Sequence, residues 1–422
     1  MKTKVKSRNG ISLIVLVITI IVMIVLAGAI ILALNNSGII GKANKAKINT
    51  EYASAKEIVA TARAEWALYE ENKVSGEVVS FKEYSETKLK ENGYKVNEGT
   101  GSYEVTEDGD VYIYPIIPDG FVASTYEGEN TVIEGLVIYE TSTLSGVEKE
   151  VAQKTYNQFV WVPVPEISEF VREDGYYEGD KQTLVTTNSS VEPCTTLAAL
   201  SVSNDVTGEF AEYAAMKESV EKYGGFYIGR YEVGSTTKRV DTDNGTTEFE
   251  IKKEMYPYNY ASWGPSMILA NGDVMSYGKN QGKGAVELSR SMYRENNSMV
   301  STLCYGVEWD AALKFIAKVE PSYLIKDEGK GWYYDTVDAN KEHITGKDII
   351  KDGVIVNKIC NIYDMAGNVA EWTMEANSKT NRVMRGGCYV DNGNRYPSSY
   401  RYTFSPSLTN EARGFRVALY LK

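Results

Sequence analysis

The apolar positions change period several times along the chain. Ile11 to Leu34 is an almost unbroken apolar run, "ISLIVLVITIIVMIVLAGAIILAL", interrupted only by Ser12, Thr19 and glycine or alanine. As a helix this run would be about 36 Å long, enough to cross a bilayer. It follows "MKTKVKSRNG", which carries Lys2, Lys4, Lys6 and Arg8 and no acid. A basic flank stays in the cytoplasm, so residues after Asn35 are expected outside. The run is too long for a cleaved secretory signal, and no A-x-A-like site follows it. Ile48, Tyr52, Ala55, Val59, Ala62, Trp66 and Tyr69 then fall at alternating spacings of four and three, one apolar stripe on a helix. "SFKEYSETKLKENGYKVNEG" reads as a further helix, and "SYEVTEDGDVYIYP" as a short hairpin that covers the stripe.

From about Pro115 the texture changes. Short strand-like runs ("GLVIYE", "QFVWVPV", "GFYIGRYEV", "GFRVALYL") alternate with Gly, Asn, Asp and Ser clusters. Two helices stand out, "EFAEYAAMKESVEKYG" and "GVEWDAALKFIAKV"; in the second, Val307, Ala311, Leu313, Phe315 and Ile316 supply a buried face. A loop-rich domain of this length needs constraints beyond its core: metals, disulfides or dense loop hydrogen bonds.

Composition narrows the function. The net charge of −12 argues against nucleic acid as the main partner, because a phosphate backbone selects basic surfaces. Tyrosine is abundant at 31 residues against 10 phenylalanines, which suits half-exposed contact surfaces. The single histidine, His343, sits in the hydrophilic stretch "DANKEHITGKD" and reads as a solvated loop residue. One ring cannot supply a multi-histidine metal site. Cys194, Cys304, Cys360 and Cys388 show no CxxC spacing. They are either up to two disulfides in an exported domain or buried small hydrophobes. The stretch "IYDMAGNVAEW", residues 362–372, offers carboxylates and turn carbonyls, the hard oxygen donors calcium takes. The other reading is a turn in which Asp364 and Asn368 cap backbone N–H groups.

Two resemblances add to this. The basic leader ending in Gly10, followed by the apolar run, resembles a type IV prepilin. That family is cut after the glycine and methylated on the new terminus, here Ile11. Val15 stands where that family usually has the glutamate used in filament assembly. Assembly as a major pilin is therefore not expected; the minor-pilin and pseudopilin readings, with other pilin subunits as partners, and the plain signal-anchor reading remain. Second, "QFVWVPV", "GFYIGRYEV", "YGVEWDAALKFI", "NIYDMAGNVAEWT", "RVMRGGCY" and "RGFRVALYL" resemble, in order and spacing, the formylglycine-generating enzyme (sulfatase-modifying factor) family. Its fold is a variant of the C-type lectin fold. The resemblance implies a structural calcium held by the Asp364 and Glu371 side chains and the Gly367 and Val369 carbonyls. The enzymes' two copper-binding thiols map onto Asp391 and Tyr396, so thiol-based oxidation is not expected. Thiolates are what suits Cu(I).

"CYVDNGNRYPSSYRYTFS", residues 388–405, then reads as a contact surface. Tyrosine anchors stand among adaptable polar residues, as in antibody paratopes. The same composition resembles the variable proteins of diversity-generating retroelements, which place hypervariable residues before a terminal "GFR" strand. On that reading Tyr389, Asp391, Asn392, Asn394, Tyr396, Ser398, Ser399 and Tyr400 contact the ligand.

The expectation is an α+β chain: leader 1–10, transmembrane helix 11–35, a pilin-like helix and small sheet over 36–114, and a loop-rich C-type-lectin-like domain over 115–422. Its expected role is a membrane-anchored or pilus-borne, adhesin-like binder of an extracellular protein or glycan. The competing class is a sulfatase-modifying-type oxidoreductase.

Overall fold

The computed structural model of the chain describes residues 39–72, 79–172, 176–178, 183–185, 209–241, 247–264, 266–268, 274–276, 284–324, 331–333, 343–378, 381–393 and 396–422. The leader, the apolar run 11–35 and the processing residues Gly10 and Ile11 lie outside the described residues. Among the described residues no helix is long and apolar enough to cross a membrane. The chain divides into two compact units, Met1–Val78 and Val79–Lys422.

The first unit contributes helix α1 (Ile39–Asn72). Tyr52, Ala55, Val59 and Ala62 are buried, a three-four-three spacing that forms one stripe. Trp66 is half-buried, and the stripe runs out at Tyr69, which is 38% exposed.

The second unit opens with α2 (Phe81–Glu91), begun by a capping box. Ser80 Oγ accepts from Glu83 N at 3.2 Å, and the Glu83 carboxylate accepts from Ser80 N at 3.2 Å. Strands β1 (Tyr103–Val105) and β2 (Val111–Ile113) form the expected hairpin, Tyr103 opposite Ile113. Both elements belong to the unit that starts at Val79, not to one ending at 114. Glu104 on β1 accepts from Val132 N at 2.7 Å and so ties the hairpin to the following chain.

Six strands make the main sheet. They are β3 (Val122–Ala123), β4 (Val137–Tyr139), β5 (Gln158–Pro163), β6 (Gly225–Gly229), β7 (Met299–Leu303) and a final strand, Val417–Leu421. The order is β7, final strand, β6, β5, β4, β3, with every neighbouring pair antiparallel. "QFVWV", "GFYIG" and "VALYL" are buried throughout, which explains why they read as continuous apolar runs, not as alternation. Helix α4 (Glu209–Tyr223) lies against β6 and the final strand; α6 (Gly306–Val319) lies against β5. Two short helices escape the periodicity, α3 (Lys149–Thr155) and α5 (Ala285–Ser291), each only about two turns long.

A second sheet holds β8 (Ala370–Ser378), β9 (Asn381–Arg385), β10 (Arg401–Phe404) and β11 (Arg413–Phe415). Its order is β10-β9-β8-β11, with β8 and β11 parallel and β10 at the edge. Only Arg416 separates β11 from the final strand, β12 (Val417–Leu421), so this one residue carries the chain from one sheet to the other.

Burial leaves a pH signature. Burial pushes the Glu104 carboxyl up to about 7 and that of Glu308 up to about 8. Between the ordinary carboxylate value and these, the folded chain holds protons that the unfolded chain releases. The two groups therefore stabilise the fold progressively less as pH rises from about 4.5 to 8. Replacing Glu104 by Gln keeps an acceptor for Val132 N and removes the buried charge. Urea unfolding is expected to show E104Q more stable than the parent at pH 8.5, by on the order of 2 kcal/mol, and nearly equal to it at pH 4. An equal difference at both pH values would contradict the assignment.

Candidate ligand-binding site

The loop 362–372 is a corner whose backbone leaves little choice of residue. Asp364, Gly367 and Asn368 have φ of 57°, 83° and 55°, the left-handed region. A Cβ on Gly367 would lie 2.1 Å from the Trp332 carbonyl oxygen, so only glycine fits. Trp332 N donates to Ala366 O and Asn368 N to Trp332 O, both at 2.9 Å.

The acids of this loop are already partnered. Glu371 accepts from Arg416 Nε at 2.9 Å and from Nη2 at 2.5 Å, a bidentate pair with both side chains fully buried. The rest of the Arg416 fork donates to Gly229 O and Tyr363 O, each at 2.9 Å. Asp364 Oδ1 accepts from Asn357 Nδ2 at 2.7 Å. Glu232 accepts from Val369 N at 3.1 Å and from Asn368 Nδ2 at 2.5 Å. Burial, with the charge of Glu371 adding to it, pushes Asp364 up to about 7; Glu232 is raised well above the carboxylate range by burial and by Asp364. Asp364 Oδ2 and Asn368 Oδ1 are buried without a hydrogen-bond partner.

The calcium set expected at Asp364, Gly367, Val369 and Glu371 does not fit this arrangement. Both Glu371 oxygens are taken by a guanidinium. Among the described residues no group of three or more His, Cys, Asp or Glu is placed to hold a metal ion. Nothing local marks Arg416, the last residue of the "GFR" segment, as the partner of Glu371, or Glu232 as the acceptor for Asn368 and Val369. Glu232 follows β6 and Arg416 precedes β12, and these two strands pair.

The segment 388–404 rests on a second buried ionic system. Asp310 on α6 accepts from Arg385 Nη2 at 2.7 Å and from Arg401 Nη2 at 2.6 Å. Glu375 on β8 accepts from Arg401 Nε at 2.7 Å and from Arg385 Nη1 at 3.4 Å. All four side chains are at most 4% exposed. Arg385 also donates to the Tyr400 and Ser399 carbonyls, each at 3.2 Å. Trp309 Nε1 donates to Ser398 O at 3.0 Å, and Tyr333 OH to Tyr396 O at 2.8 Å. Backbone carbonyls of this segment are thus held from beneath by α6, β9 and the Tyr333 side chain.

Above that floor sits an aromatic cluster. Tyr396 stacks on Tyr402 (centroids 4.8 Å, 28° between planes), Tyr402 stacks on Phe404 (5.7 Å, 20°), and Tyr400 meets both tyrosines edge-on. Arg413 caps Phe404 at 4.3 Å. Tyr396, Tyr400, Tyr402 and Phe404 are half-buried. Tyr402 and Phe404 lie in the stretch 388–405 but not among the contact residues expected within it. Their signal was the alternation in "RYTF": Arg401 points into the ionic system and the aromatics lie on the other side of the strand.

Asp391 and Tyr396, the positions expected to replace the paired thiols, meet through Tyr402. Asp391 Oδ2 accepts from Tyr402 OH at 2.6 Å, from Cys388 Sγ at 2.9 Å and from Cys388 N at 3.0 Å. Burial, and then the Asp391 charge, push the Cys388 thiol well above its usual range, so it stays protonated at neutral pH. Cys304, Cys360 and Cys388 are buried free thiols, which favours the small-hydrophobe reading over disulfides; Cys194 lies outside the described residues.

Of the expected contact residues, Tyr389, Asp391, Asn392, Tyr396 and Tyr400 are half-buried, and Asn394 lies outside the described residues. Ser398 and Ser399 do not belong on a contact face. They are 0% and 3% exposed, and Ser398 Oγ donates to Tyr323 O at 2.9 Å. Composition alone cannot separate a surface serine from one that satisfies a buried carbonyl. His343 is not a solvated loop residue either: its ring stacks on Tyr389 at 3.7 Å and lies 4.9 Å from Trp332. Val390, beside Tyr389, is 56% exposed.

Two sheets joined through Arg416, with the polar chemistry carried on long loops, define a mixed helix-and-sheet domain. The chain belongs to the sulfatase-modifying factor enzyme 1-like domain family, whose model matches residues 199–421. Strands β3 to β5 precede that match and complete the main sheet. A search of curated proteins gives no match. Among solved structures, the chain is similar to Treponema denticola variable protein 1 (16% identity, 46% of this chain and 84% of that one, TM-score 0.27). It is also similar to PvdO from Pseudomonas aeruginosa (15% identity, 47% and 82%, TM-score 0.27) and to the Major Tropism Determinant I1 variant (12%, 78% and 97%, TM-score 0.29).

The floor and the cluster differ in what their loss should cost. Asp310→Asn leaves two buried guanidinium groups short of charge and is expected to destabilise by about 3–5 kcal/mol. Tyr396→Ala, on the half-exposed cluster, is expected to cost about 1 kcal/mol. Chemical denaturation of the two variants checks this, and equal losses would contradict it.

Proposed function

We propose that this chain is a surface-displayed, adhesin-like binding protein whose contact face is formed by Tyr389, Asn392, Tyr396 and Tyr400, extended by Tyr402 and Phe404. The observation that carries this reading is the half-buried aromatic cluster held on a fully buried guanidinium–carboxylate floor. Rigid aromatics lose little conformational entropy on binding, and the half-buried Asn392 beside them adapts to the partner. Asp391 braces the face through Tyr402 and Cys388 instead of pointing to the ligand. The partner would be an extracellular protein or glycan, with nucleic acid disfavoured by the net charge of −12.

Anchorage through residues 11–35, with the bulk of the chain outside the cell, is part of the proposal, as is a minor-pilin or tip role. Diversification of the face belongs to it too. A near-copy of the last coding segment, differing at adenines and lying beside a reverse-transcriptase gene, would support that; a unique segment would count against it. An acid and a phenol at the two thiol positions, and a Cys388 thiol kept protonated by burial, weigh against the oxidoreductase reading.

Binding of the full chain to glycan and extracellular-protein arrays tests the reading. A bound target is expected to be held at least about tenfold more weakly by the Tyr396→Ala/Tyr400→Ala variant. Unchanged binding would move the face elsewhere. Copper-dependent oxidation of a cysteine-containing sulfatase peptide by the full chain would overturn the binding reading in favour of the enzyme.

A further inference from the structure

The loop 362–372 raises a question of charge that is independent of any ligand. Glu232, Asp364 and Glu371 are all fully buried around it, and one guanidinium, Arg416, faces them. We infer that Arg416 is the permanent internal counter-cation of this corner, and that the domain folds and keeps its loop closed without calcium.

Three features carry this. First, all three Arg416 nitrogens are committed, to both Glu371 oxygens and to the carbonyls of Gly229 and Tyr363. Second, the other two acids of the corner have amide partners of their own. Asp364 is held by Asn357, and Val369 and Asn368 both donate to Glu232. Third, a divalent ion brought beside a buried guanidinium meets strong repulsion, because charges interact far more strongly in the interior than in water. Two oxygens, Asp364 Oδ2 and Asn368 Oδ1, have no hydrogen-bond partner and are where a cation would have to sit. They are a side-chain pair against a fixed positive charge, short of the six or more oxygens calcium takes. The position of Arg416 makes the substitution structural. It is the residue between β11 and β12, so the counter-charge also fixes how the chain passes from one sheet to the other.

The test uses the full chain, stripped with EDTA and then titrated with Ca²⁺ or Tb³⁺, with Asp364→Ala, which removes both side-chain oxygens, as the control. Trp332 and Trp372 flank the loop and would sensitise terbium bound in it. The expected result is a Tm that changes by no more than about 1 °C between EDTA and millimolar calcium, and no terbium emission that calcium displaces. A calcium-dependent rise in Tm, or displaceable emission, that disappears in D364A would overturn the inference. Either signal persisting unchanged in D364A would place the cation elsewhere and leave the loop metal-free, as inferred.

Discussion

One aspartate and one glutamate, buried between Arg385 and Arg401 and with Arg172 reaching Glu375 at 3.4 Å, set the geometry of the C-terminal domain. Asp310 comes from α6, Glu375 from β8, Arg385 from β9 and Arg401 from β10. Four elements therefore converge on one desolvated cluster. A buried ionic group of this kind adds little net stability over a hydrophobic replacement, but it penalises any arrangement that leaves one member unpaired. What it supplies here is position. Once Arg385 and Arg401 are committed, the Ser399 and Tyr400 carbonyls have one place to go, and the aromatic residues on the outer side of β10 follow. The Arg416–Glu371 pair repeats the device at the neighbouring corner, where it sets the passage between the sheets.

This division of labour bears on function. Family membership brings a scaffold, not a reaction, because chemistry depends on the site grafted onto the fold. Where the resemblance leads one to look for thiolates, there is a carboxylate already bound by a phenol, a thiol and an amide. The polar groups nearest the face are used to hold aromatic rings still. A fixed, half-exposed group of rings with adaptable neighbours suits recognition better than turnover.

Much of the framework was legible in the sequence. Runs such as "GFYIG" and "VALYL" announced buried strands because both faces are covered, and the 3.6-residue period gave α4 and α6 almost to the residue. What could not be read were relations between distant positions. Asp364 and Glu371 were visible as acids in a tight turn, yet a turn with acids looks the same whether its charge is met by a metal or by an arginine forty-odd residues away. Ser398, Ser399 and His343 sit in polar stretches, and only packing shows the serines turned inward and the histidine lying on Tyr389. Tyr402 and Phe404 had a local signal, the period-two pattern of an edge strand, which composition masked. The helices α3 and α5 are too short for periodicity to mark.

The segment 388–404 is held rigid by a buried guanidinium that takes its backbone carbonyls from below. Amide hydrogen exchange at Tyr396 and Tyr400 reads this directly, since their N–H groups donate to the Asn392 and Pro397 carbonyls at 2.9 Å. The account predicts that both amides exchange far more slowly than in an unfolded chain, and that Arg385→Leu releases them while the amides of β5 and β6 stay protected. Unprotected amides at these two tyrosines in the parent chain would contradict it.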